Sequence, residues 1–124
     1  MDSRLNIPGF VDLQVNGFEG VDFSSGDLTE AGFEKACSSL LTKGTAAFLP
    51  TVITSPMAIY ERNLPLMVRV AARPEFQGRV LGLHLEGPFI SAEPGAVGAH
   101  DPQFVRPPDC SWLARLIELG QGTV

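Results

Sequence analysis

Histidine, cysteine and tryptophan are scarce: two, two and one among 124 residues. Cys37 and Cys110 have no metal-ligand spacing, and two cysteines cannot make the disulfide framework of a small secreted domain. The nine Lys and Arg residues are scattered singly through a chain of net charge −5, which argues against a nucleic-acid surface. No stretch approaches the roughly 20 apolar residues of a membrane span. No charged-then-apolar leader opens the chain, so a cytoplasmic protein with no membrane partner is the expectation. What is present reads as globular, with 44% hydrophobic and 19% charged residues. At 124 residues the chain has the usual size of one domain.

The most informative stretch is Leu81-Gly82-Leu83-His84-Leu85-Glu86-Gly87-Pro88-Phe89-Ile90. It starts as an apolar, strand-like run and ends in a Gly-Pro break. Side chains alternate faces along a strand, so His84 and Glu86 project to the same side. A carboxylate delivered from a strand end into a loop suits metal binding or proton transfer. The competing reading is an edge strand with its charge in water. Leu83 and Leu85 on the opposite face, and the irregular loop that follows, favour a site.

Earlier in the chain, Phe10 to Asn16 alternates strictly. Phe10, Asp12, Gln14 and Asn16 fall on one face; Val11, Leu13 and Val15 fall on the other. On an open sheet the polar face would meet solvent; in a closed parallel barrel it would line the interior while helices cover the apolar face. Gly17 to Gly26 reads as a loop carrying Glu19 and Asp22. A helix follows, capped either by a box starting at Asp27 or by Thr29, with Phe33, Cys37, Leu40 and Leu41 on its buried face. Cys37 reads as a small buried apolar residue.

Ala46–Leu49 continues through Pro50 into Thr51–Thr54 as a second strand. Ser55-Pro56 predicts a helix start, with Ser55 as cap. Met57, Tyr60, Leu64, Met67, Val68 and Ala71 then mark an apolar face, and Pro65 predicts a kink or two short helices. A third strand is expected over Val80–Leu85. Ala92 to Pro108 has no periodicity, as in a functional or disordered loop. A last helix, Asp109–Leu119, should bury Trp112, Leu113, Leu116 and Ile117, and Gly122-Thr123-Val124 reads as the start of a fourth strand. Strand–helix alternation implies parallel βα units with right-handed crossovers. A complete eight-fold barrel takes about 250 residues. The expected fold is therefore α/β: a partial TIM (β/α)8 barrel of about three βα units plus the start of a fourth strand, with residues 1–124 as one incomplete domain.

Four segments, taken in order, resemble the N-acetylglucosamine-6-phosphate deacetylases of the amidohydrolase superfamily. They are Pro8–Gly17, Phe48–Thr51 with Thr54-Ser55-Pro56, Leu81–Ile90, and Gly98-Ala99-His100-Asp101-Pro102. The resemblance implies a distorted TIM barrel beside a small β-sandwich, commonly a homodimer, that removes acetyl from N-acetylglucosamine 6-phosphate to give glucosamine 6-phosphate and acetate. It implies that Glu86 binds a metal, and that Ala99, through its backbone, and His100 contact the amino-sugar phosphate substrate. Gln14 and Asn16 stand where many amidohydrolases carry an HxH metal pair, and amides cannot replace two imidazoles on zinc. One divalent ion of the zinc type is expected, with Gln14, Asn16 and His84 in supporting positions, His84 through an orienting hydrogen bond. The family's two later histidine ligands and its catalytic aspartate would lie beyond Val124. The isolated chain is thus expected to hold no catalytic residue and to be inactive; the rival reading is a non-catalytic fragment that acts only by association with other chains.

Overall fold

The computed structural model describes residues 7–124. Its framework is a parallel three-stranded sheet made of β1 (Phe10–Val15), β4 (Thr45–Ile53) and β5 (His84–Glu86), in the order β1-β4-β5. Helix α1 (Glu30–Thr42) joins β1 to β4, and α2 (Met57–Ala71) joins β4 to β5. The β1–β4 register pairs Phe10 with Thr45 and Val15 with Pro50; the β4–β5 register pairs Thr51 with His84 and Ile53 with Glu86. These are the expected α/β class and the expected parallel order.

The core lies between the sheet and the two helices. Phe33, Ala36, Cys37 and Leu40 of α1 meet Phe48 and Val52 of β4, with Tyr60, Leu64 and Met67 of α2 closing the same cluster. Phe23 and Phe33 pack edge-to-face with ring centres 5.0 Å apart. Burying each large side chain of this kind contributes roughly 1.5–3 kcal/mol. Burial pushes the Cys37 thiol up to about 12, in keeping with its role as core filling.

Local chemistry explains most element ends. Thr29, not Asp27, caps α1: its hydroxyl accepts from the Gly32 N–H at 3.0 Å. The segment after β1, expected as a loop, is a hairpin of β2 (Gly17–Phe18) and β3 (Val21–Asp22). Its two-residue turn is Glu19-Gly20, both at positive φ, the conformation that matches the twist of a tight hairpin. Helix α2 is capped by Pro56 and not Ser55, whose hydroxyl turns back to donate to the Ile53 carbonyl at 2.9 Å. Pro65 does not split α2, which runs continuously. Leu64, Leu66, Met67 and Val68, buried around Pro65, hold both halves of the helix against the core.

The third strand is interrupted where one run was expected. Phe48 donates to the Arg79 carbonyl at 2.8 Å, and Leu81 donates to the Phe48 carbonyl at 3.1 Å. Two residues on, β4 presents Pro50, which has no N–H with which to continue the ladder. Pairing resumes only at Thr51–His84, shifted by one residue from the Phe48–Val80 bridge. At the gap Leu83 donates instead to the Thr123 carbonyl at 2.8 Å. The expected fourth strand is present only as this contact.

Two apolar faces are less covered than the pattern suggested. Of Val11, Leu13 and Val15, only Val15 is buried, because nothing among the described residues covers the face of β1 at Val11 and Leu13. Helix α3 (Cys110–Leu119) buries only Leu116, while Leu113 and Ile117 are exposed. It leans on α2 through Trp112, whose ring stands edge-on to Tyr60 at 6.4 Å and carries the Arg106 guanidinium 4.3 Å above it. Asp109 caps α3; its hydrogen bond from Ser111 leads the set of contacts holding the carboxyl below the usual carboxylate range.

The fully buried Asn63 ties α2 to the segment after β3. Its amide donates to the carbonyls of Phe23 at 3.0 Å and Ser25 at 2.9 Å. Asn63→Ala leaves two carbonyls without this donor and is expected to cost about 1–3 kcal/mol. Urea unfolding of the two proteins measures it; an unchanged midpoint would mean that the staple carries no net stability.

Candidate active site

The site is built where the three parallel strands end. At this end β4 leaves the sheet, and buried side chains replace the backbone ladder. The Ile53 N–H donates to Ser24 Oγ at 3.0 Å, and its carbonyl accepts from Tyr60 Oη at 3.1 Å as well as from Ser55. Tyr60 Oη in turn accepts from the Ser55 N–H at 3.2 Å, and burial pushes the phenol up to about 12, so it stays a neutral donor. Thr51 Oγ1 accepts from the Val15 N–H at 3.0 Å, tying β1 to β4 at the same level.

Glu86 is the last residue of β5. Asn16, immediately after β1, donates through Nδ2 to Glu86 Oε2 at 3.5 Å. His100, from the long loop, places Nε2 3.4 Å from Glu86 Oε1. The His100 side chain is only 14% exposed, and its Nδ1 is buried with no protein partner. Three residues separated by up to 84 positions in the sequence thus meet over one strand end. An open cleft of about 570 Å³ lies alongside, lined by Asn16, Gly17, Glu19, Asp22 and Ile53, within the size range of small-molecule sites.

The supporting candidates divide. His84 shares the Glu86 face, as strand alternation requires, and its Nδ1 lies 2.8 Å from the Leu13 carbonyl. Both side chains therefore reach across β4 toward the end of β1. His84 thus contacts a main-chain carbonyl of β1. Gln14 is exposed, and only its backbone N–H is engaged, with Asp12 Oδ1 at 3.1 Å. Ala99 is exposed on the loop beside His100.

Sequence reasoning missed Thr54, although it lies in one of the four recognisable segments. Thr54 is buried, and its hydroxyl donates to the Glu86 carbonyl at 3.3 Å. The following Gly87 sits at φ +108° with its α-carbon against the same hydroxyl, so that any side chain there would overlap Thr54 Oγ1. Arg106 closes the far side of this turn, its N–H donating to the Pro88 carbonyl at 2.9 Å.

Among the described residues no three His, Cys, Asp or Glu side chains converge as a complete metal site. Glu86 fits a divalent cation as one member of a larger set: a half-buried carboxylate at a strand end, with an amide 3.5 Å from one oxygen and an imidazole 3.4 Å from the other.

No family model matches the chain. Among curated proteins, it is 41% identical over 119 residues to N-acetylglucosamine-6-phosphate deacetylase from Danio rerio, and 41% identical over 104 residues to that from Homo sapiens. These alignments take in 94% and 83% of this chain. The chain matches one segment of the N-acetylglucosamine-6-phosphate deacetylases. It spans 28% of the length of the Danio rerio protein and 25% of the human one. Among solved structures, the deacetylase from Mycobacterium smegmatis superposes over 94% of this chain and 31% of its own, with TM-score 0.78 and 30% identity. A mutant of that deacetylase, in complex with N-acetyl-D-glucosamine-6-phosphate, matches 95% of this chain with TM-score 0.80.

Gly87 is the tightest point of the site. Gly87→Ala forces a side chain into a left-handed conformation and against Thr54, and is expected to cost about 2 kcal/mol or more. Denaturant unfolding reads the loss. Wild-type stability in the variant would show that the turn is looser than the geometry requires.

Proposed function

We propose that this chain forms part of the active site of a metal-dependent deacetylase that converts N-acetylglucosamine 6-phosphate to glucosamine 6-phosphate and acetate. The observation that carries the reading is the meeting of Glu86, Asn16 and His100 at the end of a parallel sheet. The identity to deacetylases over most of the chain supports the same assignment. In this reading the three βα units are a portion of a (β/α)8 barrel, with the site at the C-terminal ends of the strands as in other barrel enzymes.

Glu86 would hold one divalent ion, of the zinc type, together with ligands that this chain does not contain. Such an ion, when bound, acts as a Lewis acid toward the acetamide carbonyl and acidifies water. The chain's own residues prepare that site. Each carboxylate oxygen has one long contact, Oε2 with Asn16 at 3.5 Å and Oε1 with His100 at 3.4 Å, which leaves both with lone pairs free to ligate. His100 and the Ala99 backbone, on the loop facing the strand end, hold the amino-sugar phosphate. His84 fixes the β5 end to the Leu13 carbonyl. A cytoplasmic setting and a homodimeric complete enzyme belong to the same proposal and rest on the family resemblance.

The exposed edge of β1, with Phe10, Val11 and Leu13 uncovered, supports a second reading. There the chain acts by pairing with other polypeptides instead of by catalysis.

An acetate-release assay separates the two. Built into a complete deacetylase fold, this segment should support hydrolysis of N-acetylglucosamine 6-phosphate. Glu86→Gln should lower kcat/KM by more than about 100-fold, beyond what loss of a group merely supporting a ligand costs. The 124-residue chain alone should give no turnover. Full activity of the Glu86→Gln enzyme would overturn the assignment of Glu86, and turnover by the isolated chain would overturn the partial-site reading.

A further inference from the structure

We propose that Thr54 is a positioning residue for Glu86, an inference that rests on the reading of Glu86 as a metal ligand. The last β4–β5 pair is Ile53 with Glu86. Beyond it β4 turns away toward Pro56 and α2, so no backbone group remains to hold the end of β5. Thr54 supplies the missing bond from its side chain, donating Oγ1 to the Glu86 carbonyl at 3.3 Å.

The hydroxyl is itself fixed from behind. Thr54 is only 4% exposed, and the residues on either side of it are bound to the buried Tyr60: the Ile53 carbonyl accepts from Tyr60 Oη, and the Ser55 N–H donates to it. From the front, Gly87 presses its α-carbon against Thr54 Oγ1 with no room for a side chain. The Glu86 backbone is thereby clamped between one hydroxyl and one glycine. Its carboxylate then meets Asn16 at 3.5 Å on one oxygen and His100 at 3.4 Å on the other. Position passes from α2, through Tyr60 and Thr54, to the strand end that carries the ligand. This gives a reason for the Thr54-Ser55-Pro56 segment, which touches neither the carboxylate nor the loop of His100.

Thr54→Val keeps the shape and removes the donor; Thr54→Ser keeps the donor and removes a methyl. Each variant is made in a complete deacetylase fold that includes this segment, checked for cooperative unfolding, and titrated with zinc while the Glu86 and His100 resonances are followed by NMR. Thr54→Val is expected to weaken zinc binding by about tenfold, the lower end for loss of a group that orients a ligand. It should also remove the nuclear Overhauser contacts between Glu86 and the His100 ring in metal-free protein. Thr54→Ser should restore both. Wild-type zinc affinity and intact contacts in folded Thr54→Val would overturn the proposal, as would a Thr54→Ser variant as impaired as Thr54→Val. Should Thr54→Val not fold, Thr54→Ala, which adds no methyl against Gly87, carries the same expectations. Glu86→Gln in the same titration tests the metal reading separately. If its zinc binding equals wild type, that reading fails and the metal-free contacts alone decide whether Thr54 positions Glu86.

Discussion

The end of β4 is the constraint on which the rest of the site depends. A parallel sheet loses its ladder where a strand turns away into its helix, and the carbonyls exposed there need new donors. Here Tyr60, Ser55 and Thr54 supply them from the strand end and α2, Ser24 accepts from Ile53, and Thr51 ties β1 to the same level. Because these groups are buried, each missing bond would cost far more than an exposed one. The end of the sheet is therefore stiff where Glu86 emerges. Residues that must meet a ligand gain from such stiffness, since a site held loosely loses both affinity and geometry.

The surface interactions are of a different weight. Arg69 of α2 and Arg73, just beyond its C-terminus, pair with Glu30 and Glu34 of α1 at 2.6–3.0 Å, and Arg115 of α3 pairs with Glu61 of α2 at 3.2 Å. All are partly or largely exposed, and pairs of this kind contribute little to stability. They favour a relative placement of the helices that the apolar core has already set. The buried polar groups under the strand ends instead support the half-buried Glu86 and the exposed Asn16 above them.

Much of this was legible in the sequence. The alternation of strand and helix patterns gave the parallel order, and the two-residue spacing of His84 and Glu86 put both on one face. What could not be read depended on partners distant in the chain. Nothing local separates Thr29 from Asp27 as the cap of α1, and a proline in mid-helix breaks it only where the flanking turns are free to separate, which Leu64 and Met67 prevent. The break in the third strand lies in the second: Pro50 denies a donor to a neighbour more than 30 residues away. The exposed faces of β1 and α3 misled the burial expectation for a related reason, since amphipathic periodicity states that a face wants cover and not that the described residues provide it. Thr54 escaped notice because a threonine at a strand end ordinarily signals only β propensity.

The central claim is that Glu86, steadied by Asn16 and Thr54, is a metal-binding carboxylate. Anomalous diffraction at the zinc edge tests it most directly, on crystals of a complete deacetylase fold that includes this segment and is grown with zinc. The account predicts an anomalous peak at about 2.0–2.2 Å from a Glu86 oxygen. A single strong peak elsewhere, with Glu86 still bound only by Asn16 and His100, would contradict it.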